Sequence, residues 1–428
     1  MRQPLFTAFA LFAFVLAPVS EAHAAGMKLT WAECVRLARD NNSLLKSSHA
    51  SLDAARAQTK SRYSAFLPEL LAESGYSRSG ERLRGADPVT NPEGYSSLLM
   101  ANVNLFNGFA DMNRLEEGRQ VERLARTSLV TSNALVLRDL KVAFASLAFA
   151  ERSVDLARAI IKRREQNLDL VRLRFENGNE NKGSLLLSQS YMEEARLNLL
   201  TAEQDLTRAR SELARILGMD GEHDLSVAGE LPLATAPLSV DFPRLAAELP
   251  EREQAVINTL AKEASVRAAR GNFFPRLILE GSVGRWGTDF YPDRPDRHDE
   301  RWTVALKLQF PLFSGWRDVH GLESARAELS AAEHARHGTE RELLVRLKSL
   351  HAAYVQAEAR EKVDVGFLEA AKVRSEIGRA KYNNGLMSFD DWDNIENDLI
   401  GRERGALASV RDRAVAEANW EQLLGKGL

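Results

Sequence analysis

Two pairs of short segments in this sequence alternate between apolar and polar residues. In the segment WTVALKLQF, the apolar face of an extended chain would consist of Trp302, Val304, Leu306, Leu308 and Phe310. The alternation predicts strands at about 68–79, 95–106, 276–287 and 301–313. Each predicted strand has about the length that spans a bilayer when the strand is tilted.

A different period follows each pair of strands. The stretch from about 110 to 175 has no proline, and its apolar residues recur every 3.5 residues on average, as along a coiled-coil seam. They are Leu140, Phe144, Leu147, Ala150, Val154, Ala157 and Ile161. The stretch at about 317–382 repeats the pattern with Leu343, Leu347, Leu350, Tyr354 and Ala357. Helices of this length would be rods of roughly 100 Å, far longer than a globular domain needs.

Three pairs of landmarks show that the chain is duplicated. The pairs are Pro68 and Pro275, Gly108 and Gly315, and Gly178 and Gly385, and each is separated by 207 positions (275 − 68, 315 − 108, 385 − 178). A constant offset means that this stretch has no insertions, so its lengths are set by geometry. The proline and the first glycine of each repeat mark the corners between strands and helices.

The repeat predicts the organisation of the whole chain. The order is a signal peptide (1–25), a first repeat (26–217), a linker around the middle of the rods (218–250) and a second repeat (251–428). A tip turn ends each long helix, and the returning helices are predicted at about 184–217 and 391–424. Ser184 and either Asp390 or Asp391 are placed to cap them.

The N-terminus and the composition restrict where the protein works. Arg2, an apolar run and the small residues around Ala24 indicate a cleaved secretory signal, since the run is too short for a spanning helix. No later run of 18 apolar residues exists, so a role in a membrane would have to use strands. Cys34 is the single cysteine, which excludes a disulfide framework, and the formal net charge of −3 gives no basic field for nucleic acid.

Four strands of membrane length need partners. They cannot close a barrel, and an open sheet edge is not viable in hydrocarbon, so one chain must join other copies. Two copies would give a filled barrel, and three would give 12 strands around a lumen. The rods would then continue the same cylinder.

The corners "FLP…LFNG" and "FFP…LFSG" and the tips "RFENG" and "KYNNG" resemble those of the TolC-type outer membrane efflux proteins. The resemblance covers essentially all of the mature chain. It implies a mainly α fold with a small β part, in a trimer whose 12-stranded β-barrel (four strands per chain) is continued by an α-helical coiled-coil tunnel in the periplasm. It also implies a periplasmic adaptor protein and an inner-membrane transporter as partners. Many relatives are lipoproteins, and the absence of a cysteine at the predicted cleavage site departs from that pattern.

The resemblance also implies roles for residues at the tips. Acids six and nine residues after the tip glycine line the periplasmic constriction in similar proteins. Those positions here are Asp391 and Asn394, so only the first would give a ring of carboxylates, with Asp390 beside it. A solvated acidic helix start is the alternative interpretation. Residues implied to face the adaptor are Arg174, Asn177, Gly178, Lys381, Tyr382 and Gly385.

No motif supports catalysis or a cofactor. The sequence has no phosphate loop, nucleophile elbow or zinc motif, and His334 and His337 lack a third ligand nearby in the sequence. We therefore predict a passive duct in the outer membrane, gated at its helical tip and serving an efflux pump or a type I secretion system. The alternative is a structural coiled-coil protein of the periplasm with no role in transport. The pattern does not identify the cargo.

Overall fold

The protein is described by a computed structural model that covers residues 27–78, 93–221, 223–287 and 298–428. The predicted signal peptide lies outside the described residues. So does most of each polar loop between the paired strands, including Phe290 and Tyr291.

The first repeat consists of short elements followed by a very long helical hairpin. Its elements are β1 (Met27–Thr30), α1 (Trp31–Asn41), α2 (Ser43–Arg62), a 3-10 turn (Tyr63–Phe66), β2 (Glu69–Arg78), β3 (Glu93–Asn107), α3 (Ala110–Glu176) and α4 (Lys182–Leu217). Helix α3 has 67 residues, which makes it about 100 Å long. Helices α2 and α4 therefore each flank only part of it.

The second repeat has the same plan. Its elements are β4 (Leu225–Ala228), α5 (Phe242–Glu248), α6 (Pro250–Gly271), β5 (Arg276–Gly287), β6 (His298–Gln309), α7 (Arg317–Asn383) and α8 (Phe389–Leu423). Helix α7 also has 67 residues, and both of its ends lie 207 positions after those of α3 (317 − 110, 383 − 176). The duplication therefore extends through the long helices without a gap.

Some boundaries differ from those expected. Strand β6 ends at Gln309 rather than near 313, since Pro311 has no N–H for a ladder. The returning helices begin two residues early, because their N-caps are Asn181 and Ser388. Asn181 Oδ1 accepts from Ser184 N at 3.0 Å, so Ser184 lies inside the helix and does not cap it.

Strands β2, β3, β5 and β6 form one antiparallel sheet in that order. The β3–β5 pair joins the two repeats, and it places Val103 opposite Leu279. On one face the apolar side chains are largely exposed, as Leu308 is at 70%. The other face carries polar residues, among them Glu280, whose carboxylate pairs with Lys307. The sheet therefore has one apolar and one wet face.

Both corners between strand and helix use the same backbone conformation. Gly108 and Phe109 have φ angles of 66° and 62°, and Gly315 and Trp316 have 65° and 68°. Two successive left-handed residues reverse the chain from the sheet into α3 or α7. At Gly108 a side chain has no room, because a Cβ would lie 2.4 Å from the carbonyl oxygen of Gly271.

The long helices carry a seam of buried residues. In α3 the buried positions Leu140, Phe144 and Leu147 continue through Ile160 to Arg164, Asn167 and Val171. Ile160 is buried and Ile161 is only half-buried, so the seam shifts by one residue from the expected one. Helix α3 contacts α2, α4, α6 and α8, and α7 contacts only α5, α6 and α8 as its main neighbours.

The linker region folds around the middle of the rods. Strand β1 pairs in parallel with β4, which places Leu29 opposite Val227, and neither strand was predicted. Cys34 is buried in the core beneath them, and this burial raises the pKa of its thiol to about 11. Further along, buried Glu417 accepts a hydrogen bond from Ala234 N at 3.0 Å, and Glu358 accepts one from Ala236 N at 2.9 Å.

Among the helices of the described residues, none is long and apolar enough to cross a membrane.

Candidate functional site at the helical tip

The two tip turns have the same geometry. Gly178 and Gly385 are left-handed, with φ angles of 72° and 71°. Asn179 N donates to Arg174 O at 2.8 Å, and Leu386 N donates to Lys381 O at 2.9 Å. These bonds satisfy carbonyl groups at the helix ends, as in a Schellman motif. Each glycine is therefore required by its backbone conformation, whatever else the turn does.

An aromatic cluster ties the two turns together. The rings of Tyr382 and Trp392 are stacked with centroids 4.3 Å apart, and Phe389 packs edge-on against both. The guanidinium of Arg174 lies 4.6 Å from the Tyr382 ring centroid, and its Nη1 donates to the Tyr382 carbonyl at 2.8 Å. Arg174 belongs to α3 and Tyr382 to α7, so this contact links the two repeats.

Tyr382 lies inside the tip and not on its surface. Its side chain is fully buried, and its hydroxyl donates to Glu180 Oε2 at 2.9 Å. Burial, with the Glu180 carboxylate beside it, raises the pKa of Tyr382, so the phenol stays neutral. In this chain the ring cannot contact a partner directly, and its effect on any docking surface would be to hold the turns in place.

The acidic start of α8 divides into two groups. Asp390, Asp391 and Asn394 are exposed, and Asp393 and Glu396 are buried. Asp391 N donates to Ser388 Oγ at 3.1 Å, and the Ser388 hydroxyl donates back to Asp391 Oδ2 at 2.6 Å. The capping interaction therefore accounts for Asp391 locally, and its carboxylate still faces solvent.

A polar network lies one to two turns above the aromatic cluster. Arg164 of α3 contacts Asp393 at 3.5 Å and donates to Asn397, both on α8. The Arg164 guanidinium also lies 4.5 Å from the ring centroid of Tyr191 on α4. Burial raises the pKa of Asp393, and the hydrogen bond from Tyr191 and the charge of Arg164 offset part of that rise.

The second buried carboxylate bridges three helices. Glu396 accepts hydrogen bonds from Ser375 of α7 and from Asn167 of α3, the latter at 3.4 Å. About two turns further along α8, Glu403 accepts two hydrogen bonds from Arg163, of 3.1 and 2.6 Å. Such bidentate pairs are the geometrically specific kind of ion pair. Together these contacts hold the α3–α4 hairpin against the α7–α8 hairpin.

The structure thus brings together only some of the predicted tip residues. Arg174 and Tyr382 are in contact, while Asn177, Gly178, Lys381 and Gly385 are exposed on the turns. Sequence reasoning missed Arg164 and Asn167, and it counted Glu396 in the acidic start of α8 without predicting its burial. A signal existed for Arg164 and Asn167, because both continue the seam of α3 at positions where an apolar residue is expected.

Within one chain, the described residues contain no group of three or more His, Cys, Asp or Glu side chains arranged to hold a metal ion.

A sheet with one apolar face, carried on paired rods of about 100 Å, defines a tunnel subunit. The chain belongs to the outer membrane efflux protein family, whose family model matches residues 34–219 and 244–426. The protein is accordingly assigned to the outer membrane.

Relatives of the chain are similar over most of their length. The probable outer membrane lipoprotein SilC of Salmonella typhimurium is 22% identical over 91% of this chain and 84% of its own. The cation efflux system protein CusC of Escherichia coli strain K12 is 23% identical over 90% and 84%, respectively. Outer membrane protein OprJ of Pseudomonas aeruginosa is 24% identical over 92% and 83%.

Solved structures have the same fold. A crystal structure of CusC matches with a TM-score of 0.81 at 18% identity, covering 95% of this chain and 96% of that one. The outer-membrane channel OprN matches with a TM-score of 0.82 at 20% identity, covering 92% and 90%. The CmeC channel of Campylobacter jejuni matches at 0.82 and 14% identity, covering 99% and 94%. A mainly helical fold with a small sheet is therefore confirmed.

Proposed function

We propose that three copies of this chain form a passive duct across the outer membrane, gated at the helical tip. The duct would serve a tripartite efflux pump or a type I secretion system, with a periplasmic adaptor and an inner-membrane transporter as partners. The transporter would supply the energy. The relative CusC, which is named as a protein of a cation efflux system, favours the efflux alternative.

The proposal rests on one observation: within a single chain, the long helix α3 of the first repeat is covered by more helices than the long helix α7 of the second repeat. Helix α3 contacts α2 and α4 of its own repeat and also α6 and α8 of the other repeat, whereas α7 contacts α6 and α8 of its own repeat and has no main contact with α2 or α4. The sheet likewise ends in β2 and β6, each of which pairs on one side only within the described residues. If β6 of one copy pairs with β2 of the next, three copies close a barrel of 12 strands and cover α7 at the same time.

The tip would be the gate of this duct. In such a ring the exposed carboxylates of Asp390 and Asp391 lie at the narrow end and repeat three times, with neutral Asn394 one turn further along α8. A ring of carboxylates favours cations and resists closure by mutual repulsion. Opening would be an iris-like shift of the hairpins, a movement between two packed arrangements that a partner can bias.

The adaptor would dock on the exposed turn residues. These are Asn177 and Gly178 on one turn and Lys381 and Gly385 on the other, with Arg174 half-buried between the turns. The contact between Arg174 and Tyr382 keeps the turns at a fixed separation, so it would set the spacing that an adaptor meets. A movement of either turn would then change the contacts of the buried polar network between α3 and α8, which contains Arg164 and Asp393.

The experiment is single-channel conductance of the purified, detergent-solubilised protein in a planar bilayer. We expect small, cation-selective steps that added divalent cations reduce. Asp391→Asn keeps an oxygen that can accept the Ser388 hydrogen bond and removes the charge, so we expect lower cation selectivity and weaker block. Glu193→Gln is the matched control, because it removes an exposed carboxylate elsewhere on the helical surface.

Two outcomes would overturn parts of this proposal. A soluble monomer or dimer that does not insert into the bilayer would contradict the duct and favour a structural periplasmic protein. If the channels of wild type and Asp391→Asn have the same ion selectivity, the proposed duct is supported and the proposed role of Asp391 in an acidic ring is wrong.

A further inference from the structure

His334 and His337 lie three residues apart on α7, and both are exposed. Residues so spaced share one side of a helix, and neutral imidazoles are common ligands of Zn²⁺. His337 Nδ1 lies 3.4 Å from Glu340 Oε2, an arrangement that leaves Nε2 of this ring free for a metal. A pair of histidines is not a site, and the described residues of one chain do not complete a group of three ligand side chains around them.

The repeat offers a way to find the missing ligand. His334 and His337 correspond to Thr127 and Val130 of α3 (334 − 127 and 337 − 130 are both 207). Helix α3 packs against α6 within the chain, and α6 corresponds to α2. If copies assemble as proposed above, α2 of the next copy takes the place against α7 that α6 takes against α3. The α3–α6 contact is therefore a template for the contact between copies.

The template fixes which residues face each other along the helices. Gln254 Nε2 of α6 donates to Ser128 Oγ at 3.4 Å and to Thr131 Oγ1 at 3.3 Å. The two helices run antiparallel, so moving two residues on from Gln254 reaches the level of Thr127. The residue at that level is Val256, and its counterpart in α2 is His49 (256 − 49 = 207). His49 therefore lies level with His334 of the neighbouring copy.

The template also fixes the side of the contact. Arg123 Nη2 of α3 reaches Glu253 Oε1 of α6 at 3.2 Å on one side. Val256 comes three residues after Glu253, and Thr127 and Val130 come four and seven after Arg123. At 3.6 residues per turn, all three point to the side where that ion pair lies. The three equivalent histidines accordingly converge on one side of the contact between copies.

The ion pair itself has no equivalent between copies. Arg123 corresponds to Ser330 and Glu253 to Lys46, which cannot form it (330 − 123 and 253 − 46 are both 207). In the proposed contact between copies, the histidines lie on the side where the Arg123–Glu253 ion pair lies within one chain. His49 is exposed, and no hydrogen bond or ion pair engages it or His334 in the described part of the chain.

We infer that His334 and His337 of one copy and His49 of the next form a binding site for a divalent transition-metal ion such as Zn²⁺. Three imidazoles leave one position of a tetrahedral ion open to water. The site rests on the proposed assembly, since each copy supplies an incomplete half. Three such sites per ring would bind neighbouring copies together between the sheet and the middle of the rods.

Zinc binding by the purified, detergent-solubilised protein tests the inference. Isothermal titration calorimetry with Zn²⁺ should give one ion per chain. His49→Ala should weaken binding by about tenfold or more, and so should the double variant His334→Ala/His337→Ala, although the replaced residues lie on different helices. His320→Ala is the matched control, because His320 is an exposed histidine of α7 that pairs with Glu323 and lies outside the site.

Analytical ultracentrifugation of the same samples separates the two proposals. A protein that is not a trimer contradicts the assembly. A trimer that binds no Zn²⁺, or binds it equally well in His49→Ala, overturns the metal site alone. The geometry has its own check that needs no metal: the double variant His49→Cys/His334→Cys should cross-link copies under mild oxidation. If the double cysteine variant forms a trimer but its copies do not cross-link, positions 49 and 334 do not face each other, and the proposed site is wrong.

Discussion

Helices α3 and α7 have the same length and equivalent places in the two repeats, yet their surroundings differ. Leu140, Phe144 and Leu147 of α3 are enclosed by helices of both repeats. On α7, Leu347 and Tyr354, the equivalents of Leu140 and Leu147, are buried as well, but Phe367 is 50% exposed although its equivalent on α3, Ile160, is buried (367 − 160 = 207). The difference shows that the contacts between the two repeats cover α3 within one chain, whereas the equivalent surface of α7 has no partner in the same chain. That is the arrangement expected of a closed ring of identical subunits.

The largest effect should come from the lysine found at equivalent positions of the two helices. Lys141 is buried against Glu417 and Glu421, whereas Lys348 is exposed. Lys141→Met leaves the buried carboxylate of Glu417 without a cation, while Glu421 keeps its ion pair with Lys426, so we expect a loss of about 3–5 kcal/mol in the free energy of unfolding. Lys348→Met should change it by less than about 0.5 kcal/mol in the unassembled chain. Chemical denaturation of both variants checks the contrast, and equal losses would refute it.

The two corner glycines should give the next largest difference. Gly108→Ala places a Cβ 2.4 Å from the Gly271 carbonyl oxygen at a positive φ, whereas a Cβ at Gly315 meets nothing within 4 Å. We expect a loss of about 2–4 kcal/mol for Gly108→Ala, from backbone strain and overpacking. Gly315→Ala should cost only the strain, about 1–2 kcal/mol.

Thermal unfolding measures both losses, and the oligomeric state adds a second test. By the repeat, Gly315 would face Ser64 of another copy, as Gly108 faces Gly271 (271 − 64 = 207). Gly315→Ala should therefore impair assembly more than folding. Normal assembly of a stable Gly315→Ala protein would contradict this interpretation.

A smaller effect is expected at the tips. Arg174 contacts the Tyr382 ring and carbonyl, and Lys381 occupies the equivalent position with its side chain exposed. Arg174→Ala should destabilise the tip by about 1–2 kcal/mol through the lost cation–π contact and hydrogen bond. Lys381→Ala should leave an isolated chain unchanged. Hydrogen exchange of the amides around Gly178 and Gly385 reads out this local stability, and equal protection in both variants would argue against the link.

The smallest effect should appear as a dependence on pH. Burial raises the pKa of Asp393 in the folded state, so folded protein holds this proton more tightly than unfolded protein. Protonation of Asp393 therefore stabilises the folded state. This contribution is fully present below the pKa of an ordinary aspartate, and it is lost as the pH rises through the raised pKa of the folded state. Asp393→Asn removes the titration, so wild type should gain stability relative to the variant as the pH falls from 7 to about 4.

Denaturation at several pH values tests this sign. Glu358 provides the opposite case, because the backbone N–H of Ala236 lowers the pKa of its carboxyl. Glu358→Gln should lose less stability on acidification than wild type does. A difference between Asp393→Asn and wild type that does not vary with pH would contradict the assigned shift.

The sequence predicted elements that depend on local pattern. The 3.5-residue period defined the long helices to within a residue or two, and the constant offset extended that definition to both repeats. Strands β1 and β4 escaped prediction, because four residues are too few to show alternation. The helix starts at Lys182 and Phe389 were misplaced because Asn181 and Ser388, rather than the residues after them, bind the free backbone N–H groups.

The candidate site could be predicted only in part. The acidic run after Gly385 was recognised, but its pattern could not tell that Asp393 is buried and Asp391 exposed. Both lie near the start of α8, and they differ because Asp393 is on the side of the helix that faces α3 whereas Asp391 is not. That side is set by the position of α3, more than 200 residues earlier in the chain.

By itself the sequence determined the duplication, the strand faces, the rods and the corner glycines, because each follows from a period or a backbone requirement within one segment. Only the tertiary structure decided which member of each equivalent pair is buried, as with Lys141 and Lys348. Burial depends on neighbours that arrive from distant parts of the chain, and identical local patterns acquire different surroundings when one repeat packs on the other. The same asymmetry leaves His49 and His334 exposed, on surfaces that the proposed assembly would bring together.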